Sequence, residues 1–214
     1  MKWGKFITLE GSEGAGKSTA LQAIQSWANA TRIEIAVSRE PGGTPLSEKI
    51  RDILLDKANV SMLPDTELLL MFAARAQHIN EFIKPALEQG KWVICDRFTD
   101  ATYAYQGGGR GIDIHRIEQM EKWVQGEFRP DLTLLLDLPV KSGLARAGNR
   151  GELDRFEQEQ LDFFERVRQT YLDRAQKYPD QYRQIDASQS IADVQQDIHK
   201  TLTAYYQQCC HIDC

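Results

Sequence analysis

The sequence predicts an α/β fold built on a parallel β-sheet, and two features of the 214-residue chain lead to this prediction. Short apolar runs alternate with longer stretches whose apolar residues recur at helical spacing, as they do in chains of strand–helix units. Several of the short runs are almost wholly apolar, which is typical of strands covered by helices on both faces. A chain of this length can bury a full core without disulfides or structural metals.

Five runs fit a buried strand, at residues 5–10, 33–38, 92–95, 132–137 and 182–185. Helical spacing marks a first helix after residue 18, a long one from Pro64 to about Leu87, and three more around 114–124, 164–175 and 191–205. The pattern lapses between residues 145 and 155, where basic residues and glycines predict a mobile loop. We expect one domain over residues 1–208 and a short tail over 209–214.

Composition excludes several classes of protein. The net charge is −5, whereas proteins that grip nucleic acid polymers are usually basic, at least locally. No stretch approaches the ~20 apolar residues of a membrane span, and the first residues lack a signal core, so we expect no membrane contact and a cytoplasmic protein. The tail residues Cys209, Cys210, His211 and Cys214 are metal-ligand types, but a frayed tail is the simpler interpretation.

The strongest motif lies between the first strand and the first helix. It reads Gly11-Ser12-Glu13-Gly14-Ala15-Gly16-Lys17-Ser18, followed by Thr19, and it matches the phosphate-binding loop of P-loop NTPases. Its glycines let backbone N–H groups surround phosphates at a helix N-terminus. A lysine at the position of Lys17 neutralises the β- and γ-phosphates, and the hydroxyl of Ser18 suits Mg²⁺. We therefore expect ATP and Mg²⁺ to bind here.

A phosphate loop alone does not establish an enzyme, because GTPase switches and motors carry it too. The guanine-reading [NT]-K-x-D motif and the D-x-x-G switch motif are absent from this chain. A noncatalytic nucleotide-controlled switch stays open as an alternative, and acceptor-dependent ADP release distinguishes it from a kinase.

Three further clusters follow predicted strands, at the edge where a parallel sheet presents its ligands. Arg39 opens the run Arg-Glu-Pro-Gly-Gly-Thr, Asp96 and Arg97 precede Phe98, and residues 103–110 read Tyr-Ala-Tyr-Gln-Gly-Gly-Gly-Arg. Arginine binds oxyanions through its planar fork. Arg39 and Arg97 therefore predict a clamp for a second phosphate, on an acceptor molecule.

Taken together, these motifs resemble thymidylate kinases of the bacterial type, and the similarity runs from Phe6 to about Ala187. The resemblance implies a five-stranded parallel sheet of order 2-3-1-4-5 flanked by helices, and a homodimer. It also implies that the chain transfers the γ-phosphoryl group of ATP to dTMP, giving dTDP. A kinase of another nucleoside or nucleoside monophosphate is the alternative within enzymes.

The resemblance also implies roles for single residues on the acceptor side. Arg39 and Arg97 would hold the phosphate of dTMP, and Phe72 would stack on the thymine. Without the resemblance, core packing is the better interpretation of Phe72, which lies in the apolar stripe of its helix. The remaining expected contacts are to the base from Arg75, Thr102 and Gln106, to the sugar 2′ position from Tyr105, and to the 3′-hydroxyl from Glu13.

On the donor side, Ala15 occupies the position where some family members carry a catalytic arginine. The resemblance therefore implies that arginine comes from a lid at about residues 146–155, with Arg150 as the first choice and Arg146 the second. Asp96 would help hold Mg²⁺ or cap the following helix, and both interpretations stay open. The expected catalytic residues are Glu13, Lys17, Asp96, Arg97 and Arg150. No strong general base is needed, because the acceptor phosphate is already largely ionised near neutral pH.

Overall fold

A computed structural model describes residues 3–148, 154–157 and 159–211. Its centre is one parallel sheet formed by Phe6–Glu10 (β1), Ile35–Arg39 (β2), Trp92–Asp96 (β3), Leu132–Asp137 (β4) and Tyr182–Asp186 (β5). The sheet has five strands in the order β2-β3-β1-β4-β5. The predicted fold class, strand order and all five predicted strands are therefore confirmed, with ends that differ by one or two residues.

Helices flank the sheet. They are Lys17–Thr31 (α1), Pro45–Leu55 (α2), Pro64–His78 (α3), Lys84–Glu88 (α4), Thr99–Thr102 (α5), Ile114–Gln125 (α6), Val140–Ala147 (α7), Leu161–Lys177 (α8) and Ile191–His211 (α9). A π-helical segment, Ile79–Ile83, joins α3 to α4, and a second one, Tyr103–Gly109, continues α5. α9 includes the first three residues of the expected tail, whereas Cys214 lies outside the described residues.

Apolar spacing did not predict α2 or α7, although local signals for α2 are present. Thr44 is its N-cap and accepts a hydrogen bond from the N–H of Ser47 at 3.3 Å, and Pro45 occupies the first turn. Only Ser47 and Leu54 of this helix are buried, so its apolar stripe is too narrow to stand out in the sequence.

Alternate residues of the central strand pack on opposite faces of the sheet. Ile7 lies in a core cluster with Ile24 of α1 and Ile198 of α9. Phe6 lies in another with Ile83 and other residues of the long α3–α4 helix. Both faces are thus covered, as the apolar runs predict. Among the described residues, none of the helices is long and apolar enough to cross a lipid bilayer.

Candidate active site

The phosphate loop joins β1 to α1 at the carboxyl edge of the sheet. Gly14 and Gly16 have φ values of 71° and 91°, which favour glycine. The Nζ of Lys17 donates to the carbonyl oxygens of Gly11 and Ser12 at 3.2 and 3.4 Å. Burial, and after it the charge of Arg97, lower the pKa of Lys17 against the opposing effect of nearby carboxylates, so a bound anion would stabilise the charged ammonium.

Helix α7 packs directly against the backbone of the loop. A Cβ on Gly14 would lie 1.9 Å from the carbonyl oxygen of Gly143, and a Cβ on Gly143 would lie 2.3 Å from that of Glu13. Both positions therefore need glycine for this close approach. The loop keeps its shape because a neighbouring helix touches its backbone directly.

Asp96 ends β3 and Arg97 follows it, beside the loop. Arg97 has a left-handed backbone, with φ 67°, which is costly for a residue with a side chain. Its N–H donates to the carbonyl oxygen of Leu9 at 2.9 Å, and the N–H of Phe98 donates to Glu10 Oε1 at 2.7 Å. The end of β1 thus fixes this turn. The N-cap of α5 is Phe98, so the capping role considered for Asp96 is wrong.

A compact side-chain cluster links the loop to the residues after β3. Arg97 Nη2 donates to both carboxylate oxygens of Glu13 at 2.9 Å and to the hydroxyl of Tyr105 at 2.7 Å. Tyr105 in turn donates to Glu13 Oε1 at 2.9 Å. Burial opposes ionisation of Glu13, but the charges of Arg97 and Lys17 outweigh it and lower its pKa to about 2. Glu13 is therefore a carboxylate throughout the physiological range.

Beside this cluster lies a cleft that mixes charged, polar and apolar side chains. It is lined by Glu13, Glu40, Pro41, Arg51, Leu55, Met71, Arg75, Arg97, Phe98, Ala101, Thr102, Tyr105, Gln106, Asp154 and Phe156. Six residues expected on the acceptor side from the sequence are among them: Glu13, Arg75, Arg97, Thr102, Tyr105 and Gln106.

Arg39 does not belong to this lining. Its guanidinium is 55% exposed and donates to Glu48 at 2.9 Å on the surface. Arg51 of α2 lines the cleft instead, and its Nη1 donates to the carbonyl oxygen of Pro41 at 2.8 Å. Burial and the charges of Arg39 and Arg97 lower the pKa of Arg51, as expected for cations gathered around an anion site. Sequence reasoning missed Arg51 because it missed α2.

Phe72 is also outside the lining. It is fully buried with Leu68, Tyr103 and Ile117, so core packing, the interpretation from the residues alone, describes its position better than stacking on a base. Met71, one residue earlier on α3, lines the cleft. Successive helical residues point about 100° apart. Two neighbours on a helix can therefore face different surroundings, here the cleft for Met71 and the core for Phe72.

Arg75 is the buried cation of the cleft. Its Nε donates to Glu40 at 2.7 Å, and its Nη2 donates to the carbonyl oxygen of Phe98 at 3.2 Å and to Thr102 Oγ1 at 2.9 Å. Its Nη1 is buried and makes no hydrogen bond among the described residues. The same holds for Arg97 Nε and Asp96 Oδ1. Buried polar atoms are normally satisfied, so these unpaired donors and this acceptor indicate a place for a ligand.

The structure describes one of the two arginines expected to serve the donor side. Arg146 belongs to the last turn of α7, and its Nη1 donates to the carbonyl oxygen of Ala187 at 3.0 Å. Arg150 lies outside the described residues. Asp154 and Phe156, after that gap, line the acceptor cleft.

The protein oxygen atoms near the loop are few, which suits Mg²⁺ better than a metal ion that is held by protein ligands alone. The described residues contain no group of three or more His, Cys, Asp or Glu side chains placed to hold a metal ion. Asp96 does offer a buried carboxylate oxygen without a partner, and Ser18 offers a hydroxyl at the start of α1. Mg²⁺ typically takes one or two protein oxygens and completes its shell with water and phosphates.

A family model, curated relatives and a solved structure all match nearly the whole chain, and all are described as thymidylate kinases. A family model described as thymidylate kinase matches residues 9–198. A thymidylate kinase of Ectopseudomonas mendocina (strain ymp) is 59% identical over 206 residues, 96% of this chain and 98% of that protein. One of Pseudomonas putida (strain GB-1) is 57% identical with the same coverage. The crystal structure of thymidylate kinase from Ehrlichia chaffeensis matches with a TM-score of 0.76 and 32% identity, over 94% of this chain and 99% of that one.

Proposed function

The chain belongs to the thymidylate kinase family and is an ATP-dependent kinase of dTMP, and from this premise we propose which residues carry the reaction. The observation that carries the proposal is the cluster of Glu13, Arg97 and Tyr105, which joins the phosphate loop to the cleft. A donor held by the loop and an acceptor held in the cleft would meet at Arg97.

The donor site of the proposal is the segment from Gly11 to Thr19. Backbone N–H groups and the N-terminus of α1 would surround the phosphates of ATP, as helix N-termini do for anions. Lys17 would leave the carbonyl oxygens it contacts and neutralise the β- and γ-phosphates. Ser18 and Asp96 would hold Mg²⁺, which supplies positive charge between the phosphate oxygens when bound.

On the acceptor side, the phosphate of dTMP would lie between Arg51 and Arg97. Arg51 replaces Arg39 in this role because it lines the cleft. Tyr105 and Glu13 would contact the deoxyribose, since they lie beside Arg97. The lining residues Arg75, Thr102 and Gln106 would recognise the base edge, and Met71 would pack on its face in place of Phe72.

Catalysis in this proposal rests on position and charge. The acceptor phosphate carries its own nucleophilic oxygen, already ionised near neutral pH, so no protein group has to remove a proton. Arg97 would hold that oxygen in line with the γ-phosphorus, and Lys17 would stabilise the charge on the transferring group. Cationic groups that are fixed in a partly buried site stabilise a developing negative charge more than the same groups do in water.

The lid arginines are part of the same proposal, over about residues 146–155. Arg150 would stabilise the transferring group, and Arg146, which holds the loop after β5 through Ala187, would contact ATP. Arg150→Ala is expected to lower kcat far more than it raises the KM for dTMP. An unchanged kcat would remove Arg150 from the mechanism.

A homodimer, a cytoplasmic location and a tail without a separate role complete the proposal. The dimer rests on the resemblance to the family, and the location is the expectation drawn from the sequence. Sedimentation velocity of the purified chain tests the dimer, for which a single monomeric species is the contrary result.

The main test is ADP production with Mg·ATP across a panel of nucleoside monophosphates. We expect dTMP to give the largest kcat/KM, dUMP less, and ribonucleotides almost none, because Tyr105 would crowd a 2′-hydroxyl. If another monophosphate gives the largest value, the residues assigned to the base and sugar are wrong while the donor site stands. ADP release that no acceptor stimulates would favour a nucleotide-controlled switch.

A further inference from the structure

Glu67 lies in the first turn of α3 and is almost completely buried, with 1% of its side chain exposed. Its Oε1 accepts from Gln106 Nε2 at 2.8 Å and from Arg110 Nε at 3.3 Å. Its Oε2 accepts from Arg155 Nη2 at 2.5 Å and from Arg110 Nη2 at 3.4 Å. One buried carboxylate therefore joins a residue of the cleft lining, Gln106, to two arginines.

A carboxylate dictates which way the amide of Gln106 points. An ionised carboxylate only accepts hydrogen bonds, so the NH₂ end of Gln106 must face Glu67. The other end of the amide is Oε1, an acceptor, and this is the end that remains for a ligand in the cleft. Arg110 and Arg155 pair with the two oxygens of Glu67, so this buried carboxylate is compensated by cations on both sides.

A second buried carboxylate orients the other polar group of the base pocket. Glu40 accepts from Arg75 Nε at 2.7 Å, and Arg75 Nη1 is left without a partner in the described part of the chain. Of the residues that line the cleft, Arg75 therefore has a donor without a partner, Nη1, and Gln106 keeps an acceptor, Oε1, that Glu67 does not use. Thymine offers the complementary pair, O4 as acceptor and N3–H as donor. Cytosine reverses both, with an amino group at C4 and an unprotonated N3.

We propose that Glu67 is a positioning residue that sets base specificity by fixing the amide of Gln106 with its oxygen toward the nucleobase. This inference rests on the proposed placement of the dTMP base in the cleft. Glu67 itself is held by Arg155, whose Nε also donates to the carbonyl oxygen of Leu54 at 2.8 Å. Asp154 and Phe156, on either side of Arg155 in the sequence, line the same cleft. The Glu67 carboxylate therefore holds two parts of the cleft wall, Gln106 and the segment around Arg155.

The test is Glu67→Gln, with kcat/KM for dTMP divided by kcat/KM for dCMP as the readout. An amide at position 67 accepts either end of Gln106, so the variant presents an NH₂ group to the base in part of the molecules. We expect the ratio to fall about tenfold, the effect of one hydrogen bond to the base. Both constants come from one preparation, so the amount of active enzyme cancels and partial misfolding leaves the ratio unaffected.

Asp65→Asn is the matched control. Asp65 lies on the same first turn of α3 and also pairs with an arginine, Arg116, at 2.8 and 2.9 Å, but about half of each side chain is exposed. We expect this variant to keep the wild-type ratio. An equal fall in both variants would attribute the effect to α3 in general and overturn the proposal.

The exchange variant Glu67→Gln with Gln106→Glu tests whether the ratio depends on the group that faces the base or on the stability of the protein. The new amide at position 67 would donate to the carboxylate introduced at position 106, and the second oxygen of that carboxylate would again face the base as an acceptor. We expect the ratio to return to within about threefold of the wild type. A ratio that stays low, or a single variant with an unchanged ratio, overturns the proposal. If the single variant does not fold, a ratio that stays low in the exchange variant still overturns the proposal.

These outcomes are separate from failure of the proposed function. A wild-type chain that does not favour dTMP over dCMP refutes the placement of the base. A wild-type chain that favours dTMP, together with a Glu67→Gln variant that does so equally, refutes only the role of Glu67.

Discussion

The phosphate loop and the acceptor cleft touch at Arg97, but the chain builds them in different ways. The loop is one continuous segment, residues 11–18, and most of its binding groups are backbone N–H groups and one lysine. The cleft draws side chains from α2, α3, the turn after β3, the π-helical segment that continues α5, and residues 154–156. The first site is local in the sequence and the second is assembled by the fold.

This difference explains which site residues could be placed from the sequence. A backbone N–H points the same way whatever side chain it carries, so a glycine pattern between a strand and a helix predicts the loop. A side chain serves the cleft only if its helix exists and has the right rotation. Phe72 does not line the cleft because its side of α3 faces the core, and Arg39 does not because its side chain at the end of β2 is exposed on the surface. Arg51 was missed on the first condition.

The largest expected effect compares neighbours on α3. Phe72→Ala should lower the free energy of unfolding by about 3–5 kcal/mol, because it empties a fully buried position. Met71→Ala should lower it less and raise the KM for dTMP severalfold, because Met71 lines the cleft. Urea unfolding and steady-state kinetics on both variants measure this. A Phe72→Ala variant of normal stability with a raised KM would restore stacking by Phe72.

On the loop side, Lys17→Ala should reduce kcat by about 10²–10³-fold, the usual cost of removing a group that stabilises developing charge. Stability should change little, since within the described part of the chain the Lys17 ammonium donates to loop carbonyl oxygens at the long distances of 3.2 and 3.4 Å. Lys200→Ala, on the surface of α9, serves as the control. A loss of kcat that follows a loss of melting temperature would indicate a structural role instead.

Two glutamates at the junction of the regions should respond to pH in opposite directions. Burial and the charge of Asp100 raise the pKa of Glu10 from 4.5 to about 8, whereas Arg97 and Lys17 overcome burial and lower that of Glu13 from 4.5 to about 2. Glu10 therefore stabilises the fold most below pH 4.5 and loses this contribution as the pH rises to 8. Glu13 contributes about 3 kcal/mol above pH 4.5 and loses it as the pH falls to 2.

Unfolding free energies of wild type, Glu10→Gln and Glu13→Gln across pH measure these contributions. Glu10→Gln should gain stability relative to the wild type as the pH rises from 4.5 to 8, the window set by the two Glu10 pKa values. Glu13→Gln should lose stability relative to the wild type as the pH rises from 2 to 4.5, the window of Glu13. Parallel curves for all three proteins would contradict both assignments.

The smallest expected effect separates Arg51, which lines the cleft, from Arg39, which lies on the surface. Arg51→Ala should raise the KM for dTMP about 10–100-fold, the cost of one charge-assisted contact. Arg39→Ala should change it less than about twofold, because Arg39 forms an exposed ion pair with Glu48. Steady-state kinetics with varied dTMP distinguishes them, and the reverse ranking would return the phosphate to Arg39.

The sequence by itself determined the sheet, the phosphate loop and the class of reaction. Apolar runs fix which segments are buried strands, and the loop motif carries its binding groups on the backbone, so both are properties of short consecutive segments. Tertiary structure alone decided that Arg51 and Met71 line the cleft and that Glu67 touches Gln106, 39 positions along the chain. These contacts depend on the rotation and packing of whole helices, which no local stretch of sequence specifies.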